Sequence, residues 1–337
     1  MNKQHILNQL FFLSALFVMV VITGCGGGGN PAASTTAPAT STSSGAATGQ
    51  GAAKSQIRTL LWGFCDKKGN IVIKPQYEDA HQFSEGLAAV KKDGMWGFID
   101  PKGTMVIRPH YDDCTQFVNG FAPVSIGQRW GFIDKKDQCT VGIGFNQVQP
   151  FSEHKAAVLP DKKWGYIDEH GFMLIQPQYL NARSFSEDLA PVQVDDKDKL
   201  WGFIDDKGQL VIKNIFVDAY PFKDLLADVI AEGKGPALLD KGGNANYVDM
   251  LQLRKNFSEG LAMYQHGSMW GFVNESGQAV IEPKFDAVDQ FSDGLACVRL
   301  GMKKGYIDKE GKIVIEPQFD NAGPFNDGIA PVRLFAD

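Results

Sequence analysis

From Trp96 to Ala122 the apolar residues come in short runs divided by polar turns: Trp96-Gly97-Phe98-Ile99, then Val106-Ile107, then Phe117, then Phe121-Ala122. Aromatic and β-branched residues packed into runs of this length, bounded by Gly, Pro and Asp, predict strands. The link Asp100-Pro101-Lys102-Gly103 predicts a tight hairpin, with Asp capping backbone amides at the first turn position and Gly supplying positive φ at the fourth. A run such as Leu87-Ala88-Ala89-Val90 predicts a third strand, which passes through Lys91-Lys92-Asp93-Gly94 to hairpin with the next Trp-Gly strand. No window of helical period exceeds the strand signal, so the region reads as all-β.

This pattern recurs. Every tryptophan is followed by glycine, in Trp62-Gly63, Trp96-Gly97, Trp130-Gly131, Trp164-Gly165, Trp201-Gly202 and Trp270-Gly271, and the first four pairs stand 34 residues apart. Two further units lack the tryptophan: one is Gly305-Tyr306-Ile307-Asp308 after Lys304, the other centres on Ala237-Leu238-Leu239-Asp240. A period of this size marks a stacked array whose units cannot bury their apolar faces alone. The expectation is a tandem array of about eight three-stranded antiparallel units.

Apolar residues at consecutive positions, as in Phe203-Ile204 and Val211-Ile212, imply cover on both faces of each sheet. Gly after Trp predicts ring-over-glycine packing between units, which makes the tryptophans core residues rather than an exposed carbohydrate-stacking ladder. The array opens at Leu61-Trp62-Gly63-Phe64 without a preceding strand of the Leu-Ala-Ala-Val type, and closes on Ile329-Ala330-Pro331-Val332-Arg333 without a following Trp-Gly. These halves are complementary. The last strand either completes the first sheet, giving a propeller-like closed ring without open ends, or stays apart in an open β-superhelix.

The N-terminus follows another logic. Lys3, an apolar stretch from Phe11 to Ile22 and then Ile22-Thr23-Gly24-Cys25 resemble the signal peptide and lipobox of bacterial lipoproteins. The resemblance implies cleavage before Cys25 and lipidation of its thiol, with Gly26 rather than Asp at the next position pointing to the outer membrane. The stretch is short for a membrane span. Residues 26–55 are almost wholly Gly, Ala, Ser, Thr, Pro and Gln, a flexible tether with a reach on the order of 30 Å. The expected organisation is thus a signal peptide over 1–24, lipidated Cys25 and tether over 25–55, and a repeat domain over 56–337.

Charge and chemistry narrow the function. The formal net charge is −6 with both signs interspersed, and no basic patch interleaved with aromatics favours nucleic acid. His5, His81, His110, His154, His170 and His266 are scattered without metal-ligand pairing, and no cofactor is expected. Cys65, Cys114, Cys139 and Cys297 stand where other units carry Ile, Ala or Val and read as small buried side chains; a disulfide between Cys114 and Cys139 is the alternative. Asp66, Asp100, Asp134, Asp168, Asp205, Asp240 and Asp308 all follow the Trp-Gly strand or its equivalent. A general acid and base need different environments, so a repeated Asp reads as a turn residue. Glu85, Glu153, Glu187 and Glu259 likewise read as loop residues beside a turn glycine. With no nucleophile elbow or phosphate loop either, the chain is not expected to be an enzyme.

Taken together, Trp-Gly-Phe-Ile-Asp-x-x-Gly, Val-Ile-x-Pro-x-Tyr/Phe-Asp and Phe-Ser-Glu-Gly-Leu-Ala resemble the bacterial WG-repeat family from about residue 60 onward. That resemblance implies an often exported repeat protein for which no common catalytic activity is established. The expected function is a lipid-anchored cell-envelope protein that binds or scaffolds through variable loops, including Lys241 to Asn256. Its expected partners are the membrane through Cys25 and an envelope or extracellular protein, or a glycan. A purely structural envelope protein and a hydrolase with an unrecognised site are the alternatives.

Overall fold

A computed structural model describes residues 59–194, 197–249 and 256–336. The signal peptide, Cys25 and the tether lie outside the described residues, as does part of the Lys241 to Asn256 stretch. The described residues form strands and turns throughout, and these assemble into eight four-stranded antiparallel blades. Blade II is representative, with strands Asp79–Ser84, Leu87–Lys92, Met95–Ile99 and Met105–Tyr111 in chain order across the sheet. Blades III, IV, VII and VIII repeat it. Blades V and VI share one long strand, Leu210–Ala219, which is fourth in the former and first in the latter.

Blade I joins the two ends of the domain. Its first two strands are Asn321–Ala322 and Ile329–Phe335; its last two are Leu60–Asp66 and Ile71–Tyr77. Leu60–Asp66 pairs with Ile329–Phe335 over its whole length, with Trp62 opposite Arg333 and Phe64 opposite Pro331. The closed ring is therefore the alternative that forms. A sequence unit counted from Trp supplies the last two strands of one blade and the first two of the next.

Three expectations need correction. The blades have four strands rather than three, because the Asp-Ala segment before each Phe adds a short first strand, only Asp113–Cys114 in blade III. In the Val-Ile pair only the second residue is covered: Ile212 is 7% exposed and Val211 52%, since the fourth strand is an edge whose alternate side chains meet solvent. Finally, the glycine after Trp does not pack against a neighbouring unit. A Cβ on Gly97 would lie 2.5 Å from the Ile107 carbonyl oxygen and 2.7 Å from the Pro109 nitrogen, both in the fourth strand of its own blade.

Register explains this crowding. Trp96 pairs with Tyr111 and Phe98 with Ile107, so two steps along the third strand oppose four along the fourth. The excess bulges over Gly97. The same relation holds for Gly63 with Pro75, Gly165 with Pro177, Gly271 with Pro283 and Gly305 with Pro317. Blade VI tests the rule within the molecule: Ala237 replaces the glycine, and Ala237, Leu238 and Leu239 pair with Tyr247, Asn246 and Ala245 without any shift.

Aromatic rings two places after the tryptophan join the blades. Phe98 meets Phe117 of blade III edge to face at 4.9 Å, and equivalent contacts are Phe64–Phe83, Phe132–Phe151, Tyr166–Phe185, Phe203–Phe222, Phe272–Phe291 and Tyr306–Phe325. Each such pair contributes about 0.5–1.5 kcal/mol beyond its area burial. Each core cluster accordingly spans a blade boundary, as when Trp96, Phe98 and Tyr111 of blade II pack with Cys114, Phe117 and Val124 of blade III.

Candidate functional site: the hairpin face of the ring

In every blade the first and second strands are joined at one end by a two-residue turn. In blade II, Ser84 pairs with Leu87 across Glu85 and Gly86, whose φ angles are 53° and 82°. Positive φ at both central residues is the turn whose twist matches that of the flanking strands, and it selects Asn-Gly and Asp-Gly. Asn119-Gly120, Asp293-Gly294 and Asp327-Gly328 follow that chemistry.

The first turn residue also latches one blade to the next. Glu85 accepts the Gly120 amide at 3.0 Å, Glu187 the Leu225 amide at 3.0 Å, Glu259 the Gly294 amide at 3.2 Å, Asp293 the Gly328 amide at 2.8 Å and Asp327 the Gly86 amide at 2.9 Å. Glu153 accepts the amides of Glu187 and Asp188. At the remaining described link Asn119 reverses the polarity, donating to the Phe151 carbonyl at 2.9 Å. Four latches are neutralised by lysines from the following blade: Lys135 on Glu85, Lys241 on Glu187, Lys309 on Glu259 and Lys67 on Asp293. Burial pushes the Glu85 carboxyl up, but the Lys135 ammonium and the Gly120 amide outweigh it and leave it below the usual range. The Lys67 ammonium lowers Asp293 in the same way.

At four boundaries a serine beside the latch residue adds a second bond, Ser84 Oγ donating to the Phe117 carbonyl at 2.6 Å, Ser186 Oγ to that of Phe222 at 2.6 Å, Ser258 Oγ to that of Phe291 at 2.6 Å and Ser292 Oγ to that of Phe325 at 2.7 Å. The Glu positions singled out in the sequence are therefore turn residues, but only Glu85 and Glu259 stand beside the expected glycine; His154 follows Glu153 and Asp188 follows Glu187. Their reach into the next blade is not legible from one unit, because the amide they bind lies about 35 residues away.

The repeated aspartates serve within their own turns. Asp100 Oδ1 accepts the Lys102 amide at 2.9 Å and the Thr104 amide at 2.8 Å, while Gly103 donates to the Asp100 carbonyl. Asp66, Asp134, Asp168, Asp205 and Asp308 repeat this, and Asn274 substitutes for Asp in blade VII. The Asp66, Asp100 and Asp240 carboxyls are held below the usual range; the Asn70 and Asn244 side chains dominate for Asp66 and Asp240, and the Thr104 amide for Asp100.

Among the tryptophans, Trp96, Trp164 and Trp201 are buried, and Trp62, Trp130 and Trp270 are partly so. Trp96 lies against His81 at 4.5 Å, and burial lowers the affinity of that imidazole for a proton. Trp201 carries Arg183 over its face at 4.4 Å; the same guanidinium lies 4.2 Å from the Tyr220 ring and pairs with Asp218 at 3.0 Å. Lys304, at the position of a lost tryptophan, directs its ammonium to the Ala322 carbonyl at 3.2 Å.

Cys65, Cys114 and Cys297 are buried free thiols, whereas Cys139 is free and exposed. The burial expectation fails at Cys139 because its counterpart Ile71 opens the edge strand and is itself 38% exposed. The Cys114–Cys139 disulfide does not form.

These regularities are those of a known repeat. The model of the WG containing repeat matches residues 62–96, 96–130, 130–164, 164–197, 201–234, 270–303 and 305–334. The chain belongs to the WG containing repeat family. Among solved structures this WG-repeat chain is similar to the computationally designed Ika8 protein, at 13% identity over 77% of this chain and 98% of that one, with a TM-score of 0.47. It is also similar to a eukaryotic initiation factor, at 10% identity over 79% and 87% with a TM-score of 0.46, and to BamB from Moraxella catarrhalis, at 10% identity over 76% and 82% with a TM-score of 0.35. No curated protein matches the chain.

The repeat matches skip 235–269, and departures from the WG pattern gather around that gap. Asp228 is buried at a position where other blades place Ala89, Pro123, Ala157, Pro191 and Pro331. Ile215 and Val217 are more than half exposed where blade II has His110 and Asp112. A groove of about 550 Å³ runs between Ile215, Phe216, Lys234 and Tyr247, and a cleft of about 350 Å³ lies between the hairpins of blades V and VI, against Ser186, Tyr220, Phe222, Leu226 and Asp228.

Proposed function

We propose that this WG-repeat chain is a non-catalytic, lipid-anchored protein of the bacterial cell envelope, held in the outer membrane through Cys25, that binds or scaffolds another envelope component. The observation that carries the reading is the division of labour between blades. The repeated Asp and Glu side chains are engaged in turns and latches, while side chains that break the repeat collect on consecutive blades. A scaffold that keeps its period in most blades and varies one arc supports recognition by that arc.

The lipobox-like Ile22-Thr23-Gly24-Cys25 and the Gly-, Ala-, Ser- and Thr-rich sequence that follows it support the address. The test combines membrane fractionation with cross-linking in intact cells. The full chain is expected in the membrane fraction, the Cys25→Ser form outside it, and a specific cross-linked partner on the wild type. A soluble wild-type chain that retains residues 1–24 ends the anchored reading, and membrane association without any specific partner makes the protein a structural spacer.

A further inference from the structure

Three positions build a complete latch: a serine before the hairpin tip, the carboxylate that follows it, and a lysine in the turn of the next blade. Blades II, V, VII and VIII have all three, as Ser84-Glu85 with Lys135, Ser186-Glu187 with Lys241, Ser258-Glu259 with Lys309, and Ser292-Asp293 with Lys67. The tips of blades I, IV and VI keep the carboxylate in Asp327, Glu153 and Asp224. Blade III alone keeps none of the three. It has Val118 and Asn119, and blade IV places Glu169 where the latch lysines stand elsewhere.

The boundary between blades III and IV is therefore held differently. Asn119 makes one neutral bond, to the Phe151 carbonyl, and the Phe151 ring lies 4.6 Å from Phe132 and 4.9 Å from Phe121. Arg129 Nη1 stands 3.5 Å from the Pro160 carbonyl oxygen. Glu169 turns to His154 at 2.8 Å, and since both belong to blade IV that pair does not cross the boundary. Hydrogen bonds to a charged group are about twice as strong as neutral ones, so losing carboxylate, serine and lysine together outweighs the extra contact with Phe121.

The outer strand at this boundary is softened as well. A Cβ on Gly171 of blade IV would lie 3.3 Å from Val141, which places strand Cys139–Phe145 of blade III against the next blade. That strand has Gly142 and Gly144 on either side of Ile143, at the place of the bulge proline Pro109 in blade II. A Cβ at either glycine would meet nothing within 4 Å, so close packing requires neither, and glycine weakens a strand interior. By contrast, the boundary between blades VIII and I, beside the joined chain ends, has the complete latch of Ser292, Asp293 and Lys67.

We infer that the ring opens first between blades III and IV, and not beside the blade where its chain ends meet. Brief opening there uncovers Phe132, Phe151 and Ile167, all buried in the closed ring, while the latched boundaries hold. Such opening needs no ligand, so it goes beyond the binding function proposed above.

Thiol labelling measures the opening. Ile133 and Ile167 occupy the same place in successive units, packed against blades II and III respectively, and Cys65 in blade I shows that cysteine is accepted there. With Cys139→Ser removing the exposed thiol, the variants Ile133→Cys and Ile167→Cys are treated with iodoacetamide in native buffer and mapped by peptide. The thiol of Ile167→Cys should react at least about tenfold faster than that of Ile133→Cys, which carries the same truncation beside a complete latch. Adding Val118→Ser, Asn119→Glu and Glu169→Lys should bring the faster rate down to the slower one. The same three substitutions in the otherwise unaltered chain should raise its melting temperature, a readout that does not require either isoleucine variant to fold. Equal labelling at the two positions, or a restored latch that leaves both rate and melting temperature unchanged, overturns the inference.

Discussion

Gly97 lies directly beneath the bulge that carries Pro109, with the Pro109 nitrogen 2.7 Å from where a Cβ on Gly97 would stand. Neither residue is explained alone. The proline bends an edge strand and withholds an amide from it, which blunts the edge, and the glycine clears the space into which the bent backbone folds. Gly97→Ala must push backbone rather than a flexible side chain and is expected to cost about 2–4 kcal/mol in urea denaturation. Ala237→Gly, in the blade without a bulge, should cost about 1 kcal/mol or less. Equal losses at the two sites would separate the Trp-Gly signature from the bulge.

Much of this architecture could be read from the chain. The period, the all-β character, the Asp turns and the complementary ends are local or additive patterns; they left a closed ring and an open superhelix as alternatives, and the pairing of Leu60–Asp66 with Ile329–Phe335 decides for the ring. The role of the glycine was not legible, because it depends on a four-against-two register between strands that no single run displays. Likewise, Phe98 and Phe117 both look like generic core residues in sequence, and only the ring shows that they meet across a boundary. The varied arc left one faint signal: Glu153-His154, Glu187-Asp188 and Asp224-Leu225 break a Glu/Asp/Asn-Gly pattern in three successive units.

Ring closure depends on the Ile329–Phe335 strand, which lies between Asn321–Ala322 and Leu60–Asp66 in blade I. Its removal would expose Phe64 and Cys65, both fully buried, and leave an unpaired edge beside them. Truncation after Gly328 is expected to abolish the monomeric ring, giving aggregation or exchange of strands between copies in size-exclusion chromatography. A truncated chain that stays monomeric and melts like the full one would show the closure to be dispensable.

Acid should loosen the blades through their latches. Glu85 and Asp293 have folded affinities for protons below those of the unfolded chain, so their contribution to stability is complete above the unfolded carboxylate range of about pH 4. It is lost as pH falls through the depressed folded values. Glu85→Gln and Asp293→Asn should therefore lower the melting temperature at neutral pH and flatten its decline between about pH 5 and 3. Variants whose melting temperatures decline with acid as steeply as the wild type would show that other carboxylates govern the response.

Thiol chemistry separates Cys139 from the other cysteines of the ring. Burial pushes the Cys65 thiol up to about 12, with the neighbouring Asp66 charge adding to it, and burial likewise raises Cys114 and Cys297. The thiolate is the reactive form, so these three are doubly protected, by exclusion of reagent and by a proton that stays on sulfur. Cys139 is exposed on an edge strand, its thiol 3.4 Å from the Val141 carbonyl. Brief treatment of the native protein with iodoacetamide at pH 8, followed by peptide mapping, should label Cys139 while sparing Cys65, Cys114 and Cys297. Labelling of Cys65 should appear only when denaturant opens blade I, which makes it a direct reporter of ring opening. Native-state labelling of Cys65 at the rate of Cys139 would mean that the seam between the first and last strands does not hold in solution.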